Sequence, residues 1–253
     1  MKLTESNYFS REAEQMYMGS TQFKNFVKCE AAALARINGT FIEPPSTAML
    51  VGSYVDAHFS GTLAQFNAEH PEIFKRDGTL KAEFSGANQI IDFIEDDFLM
   101  MKYLEGEKQT IMTGEIAGVP FKVKFDAYIP GVRIVDQKIM RDFKPVWDEE
   151  PRTKKNFIEA WGYDIQAAIY QTVEGNKLPF IINAATKENV PDKALLLIPQ
   201  DVIDMKLEEI ESLAPRFAAI KAGLEEPTAC GKCDYCKSVK KLTKIIDYRE
   251  MDL

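Results

Sequence analysis

Apolar residues recur at two different spacings along this chain, and the switches between them mark the elements. Ser20 is placed to cap a helix that runs to about Ile37, and Pro44-Pro45-Ser46 precedes a second helix that includes Gly52 and Asp56. Ile90, Ile91, Ile94, Phe98 and Met101 give residues 82–104 a helical stripe. The period then drops to two, which predicts strands at about 108–116, 119–129 and 133–139. From Lys154 to Val173 an amphipathic helix is predicted, with Phe157, Trp161, Ile165, Ala168 and Ile169 on its buried side. Leu178–Ala185 and Ala194–Ile198 read as apolar strands, and a helix follows from about Asp201 to Ala222. Strands interleaved with helices predict an α/β (α+β) fold with a mixed central sheet flanked by helices. The chain shows no internal repeat and no low-complexity linker.

The segment from Phe121 to Lys138 carries the candidate chemistry. A three-residue loop, Pro130-Gly131-Val132, pairs Ile129 with Arg133 and therefore Asp126 with Asp136. Side chains alternate along a strand, so Lys138 falls on the face of the two aspartates, and Val123, Phe125 and Val135 point the other way. A two-residue loop would instead send the aspartates to opposite faces. Glycine supplies the φ > 0 position that a three-residue loop requires. Two carboxylates and a lysine at this spacing suit a divalent cation and an attacking hydroxide; the bland reading is a charged, solvated hairpin face. On the predicted helix that follows, Tyr163, Gln166 and Tyr170 stand at i, i+3 and i+7 and share one side, either bordering the core or facing a site.

Taken in order, Gly52…Asp56, Asp126, Asp136-Gln137-Lys138 and Tyr163…Gln166…Tyr170 resemble the RecB-type branch of the PD-(D/E)xK nuclease superfamily. Within that branch the chain is most similar to the RecE-like (exonuclease VIII) phage and prophage exonucleases, over about residues 20–240. Asp136-x-Lys138 and Gln166-x-x-x-Tyr170 match the third and fourth family elements as they stand. The first departs: the family has Gly-x-x-x-His, and here the fourth position after Gly52 is Asp56, with His58 two residues on. The resemblance implies a single domain over 1–253 with a restriction-endonuclease-like core. It also implies a Mg²⁺- or Mn²⁺-dependent exonuclease acting on linear DNA. Asp56, Asp126, Asp136 and the carbonyl of Gln137 would ligate the metal; Asp126, Asp136, Lys138, Gln166 and Tyr170 would serve catalysis. In that family this Gln and Tyr lie beside the metal site and help to place the DNA strand, which makes Tyr163, on the same helix face, a candidate DNA contact. Lys187, after an apolar strand, is a candidate phosphate contact, although its position favours an exposed loop lysine. Phage-type recombination, a single-strand annealing partner of RecT type and a homo-oligomer that encloses its substrate also follow from the resemblance.

Cys230-Gly231-Lys232-Cys233-Asp234-Tyr235-Cys236 puts three thiols in seven residues, and the fourth, Cys29, lies far upstream. The spacing predicts an iron–sulfur cluster of the [4Fe–4S] kind, or zinc, or unliganded thiols. One early and three late cysteines resemble the iron–sulfur nucleases of AddB type and their CRISPR-associated relatives, whose late cysteines are more widely spaced. There the metal staples the chain ends, which implies that the segment at about 227–240 is tied to the helix near Cys29.

Hydrophobic residues at 45% and charged residues at 28% are ordinary for a globular protein, and no apolar run reaches the length of a membrane span. With the polar start Met1-Lys2-Leu3-Thr4-Glu5-Ser6, this predicts a cytoplasmic location. A net charge of −8 opposes general affinity for nucleic acid, so a DNA enzyme needs a local cationic groove. No glycine-rich phosphate loop is present; Gly114, Gly118 and Gly131 read as turn residues, and ATP hydrolysis is not expected. Neither His58 nor His70 is expected to ligate metal. Besides the nuclease, two functions remain consistent with these residues: a non-catalytic DNA-binding or assembly protein on the same fold, and a metal-stapled interaction module.

Overall fold

A computed structural model describes all residues except 149–151, 244, 246 and 251–253. Four helices and a short fifth open the chain: α1 (Arg11–Met16), α2 (Ser20–Lys28), α3 (Glu30–Ile37), α4 (Thr47–Phe59) and α5 (Leu63–Glu69). After α6 (Ala82–Glu95) and α7 (Phe98–Tyr103) comes an antiparallel meander of β1 (Glu107–Ile116), β2 (Val119–Ile129) and β3 (Arg133–Met140). A small ribbon, β4 (Val146–Asp148) with β5 (Thr153–Lys155), leads to α8 (Phe157–Ala160) and α9 (Tyr163–Glu174). β6 (Phe180–Thr186), β7 (Lys193–Leu197), α10 (Gln200–Lys221) and α11 (Asp234–Ser238) complete the named elements.

The main sheet runs β1-β2-β3-β6-β7, with β6 parallel to β3 and the other neighbours antiparallel. This is the mixed sheet between helices that the alternating pattern predicts. A parallel β3–β6 pair requires a long crossover, and α9 lies in it. Burial explains β6, whose seven residues are all buried: a continuous apolar run belongs to a strand covered on both faces. On one side Phe121, Phe125, Ile134 and Phe180 pack with Phe23 and Phe26 of α2, Ile169 of α9 and Phe217 of α10. On the other, Ala185 meets Val55 of α4, Phe84, Ile91 and Ile94 of α6, and Met100 of α7. Each fully buried side chain of this size stabilises the fold by about 1.5–3 kcal/mol.

Three predicted helices are interrupted. The Ser20–Ile37 helix breaks at Cys29, which is extended at φ −167°, ψ 107°, so two helices meet at that thiol; the N-cap is Gly19 rather than Ser20. The 82–104 stripe is divided by Asp97, whose carboxylate accepts from the amides of Leu99 and Met100 and starts a new helix. The predicted Lys154–Val173 helix begins as β5, turns through α8 and restarts after Gly162. Gly162 has φ +62°, a left-handed conformation that favours glycine, and a Cβ there would stand 2.6 Å from Cδ of Lys24, whose side chain would have to shift. The break leaves Trp161 52% exposed, against its expected burial.

β2 also departs from strict alternation. Phe125 and Tyr128, three residues apart, have touching rings (centroids 5.1 Å) in the same core, whereas Ala127 and Val135 pack with Ile181 elsewhere. Val123 and Phe125 therefore do not share a face with Val135, contrary to the single core face expected from alternation. The irregularity sits at Asp126: the β1–β2 ladder pairs Lys108 with Ala127 and Thr110 with Phe125 but skips Gln109 and Asp126, and Gln109 has φ +51°. No helix among the described residues is long and apolar enough to cross a membrane.

Candidate active site

The β2–β3 hairpin closes as the three-residue loop requires, with Ile129 opposite Arg133, Gly131 at φ +70° and the Val132 amide donating to the Ile129 carbonyl (3.0 Å). Its ladder runs only to Ala127–Val135. Beyond that point the Gln137 amide donates to Asp126 Oδ2 (2.8 Å), so a carboxylate takes the place of the strand partner. β3 meanwhile keeps its register with β6, pairing Asp136 with Ile182 and Lys138 with Ala184. Where β2 and β3 part, a cleft of about 1270 Å³ opens.

Asp136 is 2% exposed and held from two sides: Gln166 Nε2 of α9 donates to its Oδ1 (2.6 Å), and the Lys138 ammonium pairs with its Oδ2. Lys138 also stands over the Tyr163 ring, 5.5 Å from its centroid. Asp56 reaches the same cleft from α4, whose start is fixed by Ser46 Oγ accepting from the Met49 amide (3.2 Å). Gln137, Tyr163, Gln166, Tyr170 and Lys187 all line it as well. Tyr170 is mostly a core residue, edge-on to Phe125 and Phe180, and Lys187 Nζ donates to the Ala48 carbonyl (2.6 Å). The histidines stand apart, His58 on Glu95 and His70 on Glu72, and neither lines the cleft.

Burial, reinforced by Asp136 and Asp56, pushes the Asp126 carboxyl well above the usual carboxylate range. Burial raises Asp56 too, against the pull of Lys124 and Lys138. Desolvation alone would lower the Lys138 ammonium; Asp136 and Asp126 overcome it and hold the proton more tightly than in an ordinary lysine. Buried and close to one another, these acids offer oxygen donors that suit a hard divalent cation. Asp56, Asp126 and Asp136 do not bring three donor atoms within 4.8 Å of one another; among the described residues only the cysteines do so. Asp136 pairs directly with Lys138, and Asp126 and Asp56 are close enough to act on the same groups electrostatically. Beside Asp126 the side-chain amide of Gln109 has both polar atoms buried without a hydrogen-bond partner, so the wall holds unused polar capacity.

Sequence reading missed several lining groups. Among the described residues eight lysines and arginines line the cleft against five acids, in a protein of net charge −8. Lys24 and Lys124 make no ion pair among the described residues. Lys24 donates to the Trp161 carbonyl (3.3 Å), and burial, with Lys138 nearby, lowers it to about 8. Lys124 lies 5.1 Å from the Phe9 ring centroid. Neither lysine sits in a local motif; both arrive through the packing of distant segments, and only the odd position of Lys124, two before Asp126, offered a signal.

At the far end of α2, Cys29, Cys230, Cys233 and Cys236 bring their four sulfurs within 4.8 Å of one another. Cys29 and Cys236 stand 3.6 Å apart, Cys230 and Cys236 3.9 Å. The Cys230 amide donates to Cys29 Sγ (3.5 Å) and the Cys233 amide to Cys230 Sγ (3.4 Å). Backbone donors at Lys232 and Cys233 lower the Cys230 thiol to about 6. The fold brings the three late cysteines together with Cys29, and this donor set can hold a metal.

Residues 19–239 match the family described as a PDDEXK-like domain of unknown function, DUF3799. The chain belongs to that PDDEXK-like family. A crystal structure of a "putative exonuclease" from Eubacterium rectale is 42% identical, covers 98% of this chain and 97% of its own, and superposes with a TM-score of 0.93. No curated protein matches. Asp126 and Asp136-x-Lys138 have the acidic and lysine letters of that name, whereas the residue before Asp126 is Phe125 and not proline.

Proposed function

We propose that this PDDEXK-like protein is a divalent-metal-dependent deoxyribonuclease that hydrolyses phosphodiester bonds from the ends of linear DNA. One observation carries the reading: Asp126, Asp136 and Lys138 meet where β2 and β3 separate, in a cleft whose basic side chains outnumber its acidic ones among the described residues. The likeness to a protein described as a "putative exonuclease" supports it.

Asp126, Asp136 and the Gln137 carbonyl would hold Mg²⁺ or Mn²⁺, with Asp56 available from α4. Such an ion, when bound, lowers the pKa of coordinated water and offsets charge on the scissile phosphate. The chain's own groups do the rest. Gln166 fixes the rotamer of Asp136, since its amide occupies Oδ1. Lys138, kept protonated by its acidic neighbours, presents a fixed cation to the charge that grows on the phosphoryl oxygens in the transition state. Lys24, Lys124 and Lys187 supply phosphate contacts along the cleft. Phe9 (72% exposed) and Trp161 (52%) stand at the cleft with part of each side chain open to solvent, a surface on which unpaired bases can stack. The RecE-like resemblance extends the proposal to recombination, with a homo-oligomer that passes one strand to an annealing protein of RecT type.

The test is Mg²⁺-dependent release of nucleotides from end-labelled linear duplex, with closed circular DNA as control. Release from the linear form alone, lost in Asp126→Asn and Lys138→Ala, is the expected result. DNA retention in chelator without any release would mark a non-catalytic binding protein, the outcome that the Asp56 departure favours.

A further inference from the structure

The four thiols form a site independent of the carboxylate cleft, and its dimensions discriminate between the metals that its spacing permits. A single tetrahedral ion with metal–sulfur bonds of about 2.3 Å places its four sulfurs about 3.8 Å apart. A four-iron cluster puts one iron under each thiolate, with sulfides between the irons, and so holds the cysteine sulfurs roughly 6 Å apart. Here the sulfurs of Cys29 and Cys236 are 3.6 Å apart, those of Cys230 and Cys236 3.9 Å, and all four lie within 4.8 Å. The space enclosed suits one ion and is too small for a cube of iron and sulfide.

We propose that Cys29, Cys230, Cys233 and Cys236 bind one structural Zn²⁺ and not an iron–sulfur cluster. All four coordinate as thiolates, so binding releases the protons that the thiols carry, and no electron is transferred. Amide donation to Cys29 and Cys230 offsets the negative charge gathered on sulfur. The site is closed in the manner of structural zinc, with four protein ligands and no position left for water. Cys29 and Cys236 are buried.

What the ion would fix is the junction of α2 and α3. Cys29 ends one helix and starts the next in an extended conformation that helical hydrogen bonding would not choose. The same junction is tied to the late segment by the Ala31 amide on the Thr228 carbonyl (3.1 Å) and by Arg216 Nε on Glu30 (2.7 Å). Since α2 supplies Lys24 and α3 supplies Arg36 to the cleft wall, the staple sets that wall without taking part in chemistry.

The full chain is expressed with zinc and iron both supplied, purified under anaerobic conditions, and analysed for metals and acid-labile sulfide. The expected result is about one zinc per chain, no labile sulfide and no visible absorbance. Replacement by Co²⁺ should bring the visible bands of a tetrahedral thiolate site, and Cys236→Ser should lower zinc content several-fold. Release of zinc from the unmodified chain by a thiol-blocking mercurial gives the same information if the variant does not fold. Iron with labile sulfide overturns the proposal. So does protein that carries neither metal, or zinc that survives both Cys236→Ser and thiol blocking.

Discussion

The carboxylate cleft and the four-thiol site share one wall, α2, yet they treat charge in different ways. At the thiols, backbone amides point at Cys29 and Cys230 and lower the Cys230 thiol to about 6, while burial and the neighbouring thiols push Cys233 up. At the cleft, Asp126 and Asp56 are buried near Asp136 with too little compensation, and their proton affinities rise. One site closes the structure. The other keeps its electrostatic repulsion until ligands arrive, and shifted protonation equilibria of this kind tend to mark function.

The largest expected effect lies in the cleft. Asp126→Asn and Lys138→Ala should each reduce nucleotide release by about 10²-fold or more, measured at saturating Mg²⁺. Circular dichroism of the variants should remain that of the parent, since the carboxamide in Asp126→Asn keeps an oxygen to accept from the Gln137 amide.

Next is the thiol site, where the comparison predicts a stability effect. Cys236→Ser should lower Tm by roughly 10 °C by calorimetry, and zinc chelation should do the same to the parent. An unchanged Tm would move the staple from structure to accident.

The sign then reverses. Because the Asp126 pKa is higher in the folded chain than in the unfolded one, the folded state binds its proton more tightly. That contribution to stability is present at low pH and is lost as pH rises through the folded value. Asp126→Asn should therefore raise Tm of the metal-free protein by roughly 2–4 °C at pH 8, about 1 kcal/mol in a domain this long, with no gain near pH 4. Mg²⁺ should raise the parent's Tm and leave that of the variant where it was.

The smallest effect concerns the cleft mouth. Phe9→Ala and Trp161→Ala should each weaken binding of a thymidine oligonucleotide in chelator by about fivefold, seen by fluorescence anisotropy. Blunt duplex of equal length, whose bases are already stacked, should lose less than about twofold.

Much of this was legible in sequence because it is local. The Pro130-Gly131-Val132 loop fixes the hairpin register, and Asp136, Lys138, Tyr163, Gln166 and Tyr170 follow from strand and helix periods. The failures have a common cause in tertiary packing. Cys29 interrupts a good helical pattern where its thiol meets cysteines from the far end of the sequence, and Gly162 interrupts another where the backbone turns through a left-handed residue beside Lys24. The break in alternation at Asp126 has no sequence signature of its own, since Phe125 and Tyr128 read equally well on either face. Lys24 and Lys124 were hidden for the same reason: a cationic lining in an acidic chain appears only when distant segments converge.

The most direct trial of the central claim is the time course of nucleotide release from end-labelled linear duplex by the parent and by Lys138→Ala, each with Mg²⁺ and with chelator. Release by the parent with Mg²⁺ alone, and almost none by the variant, is the expected result. Equal release by both proteins, or release that persists in chelator, would contradict it.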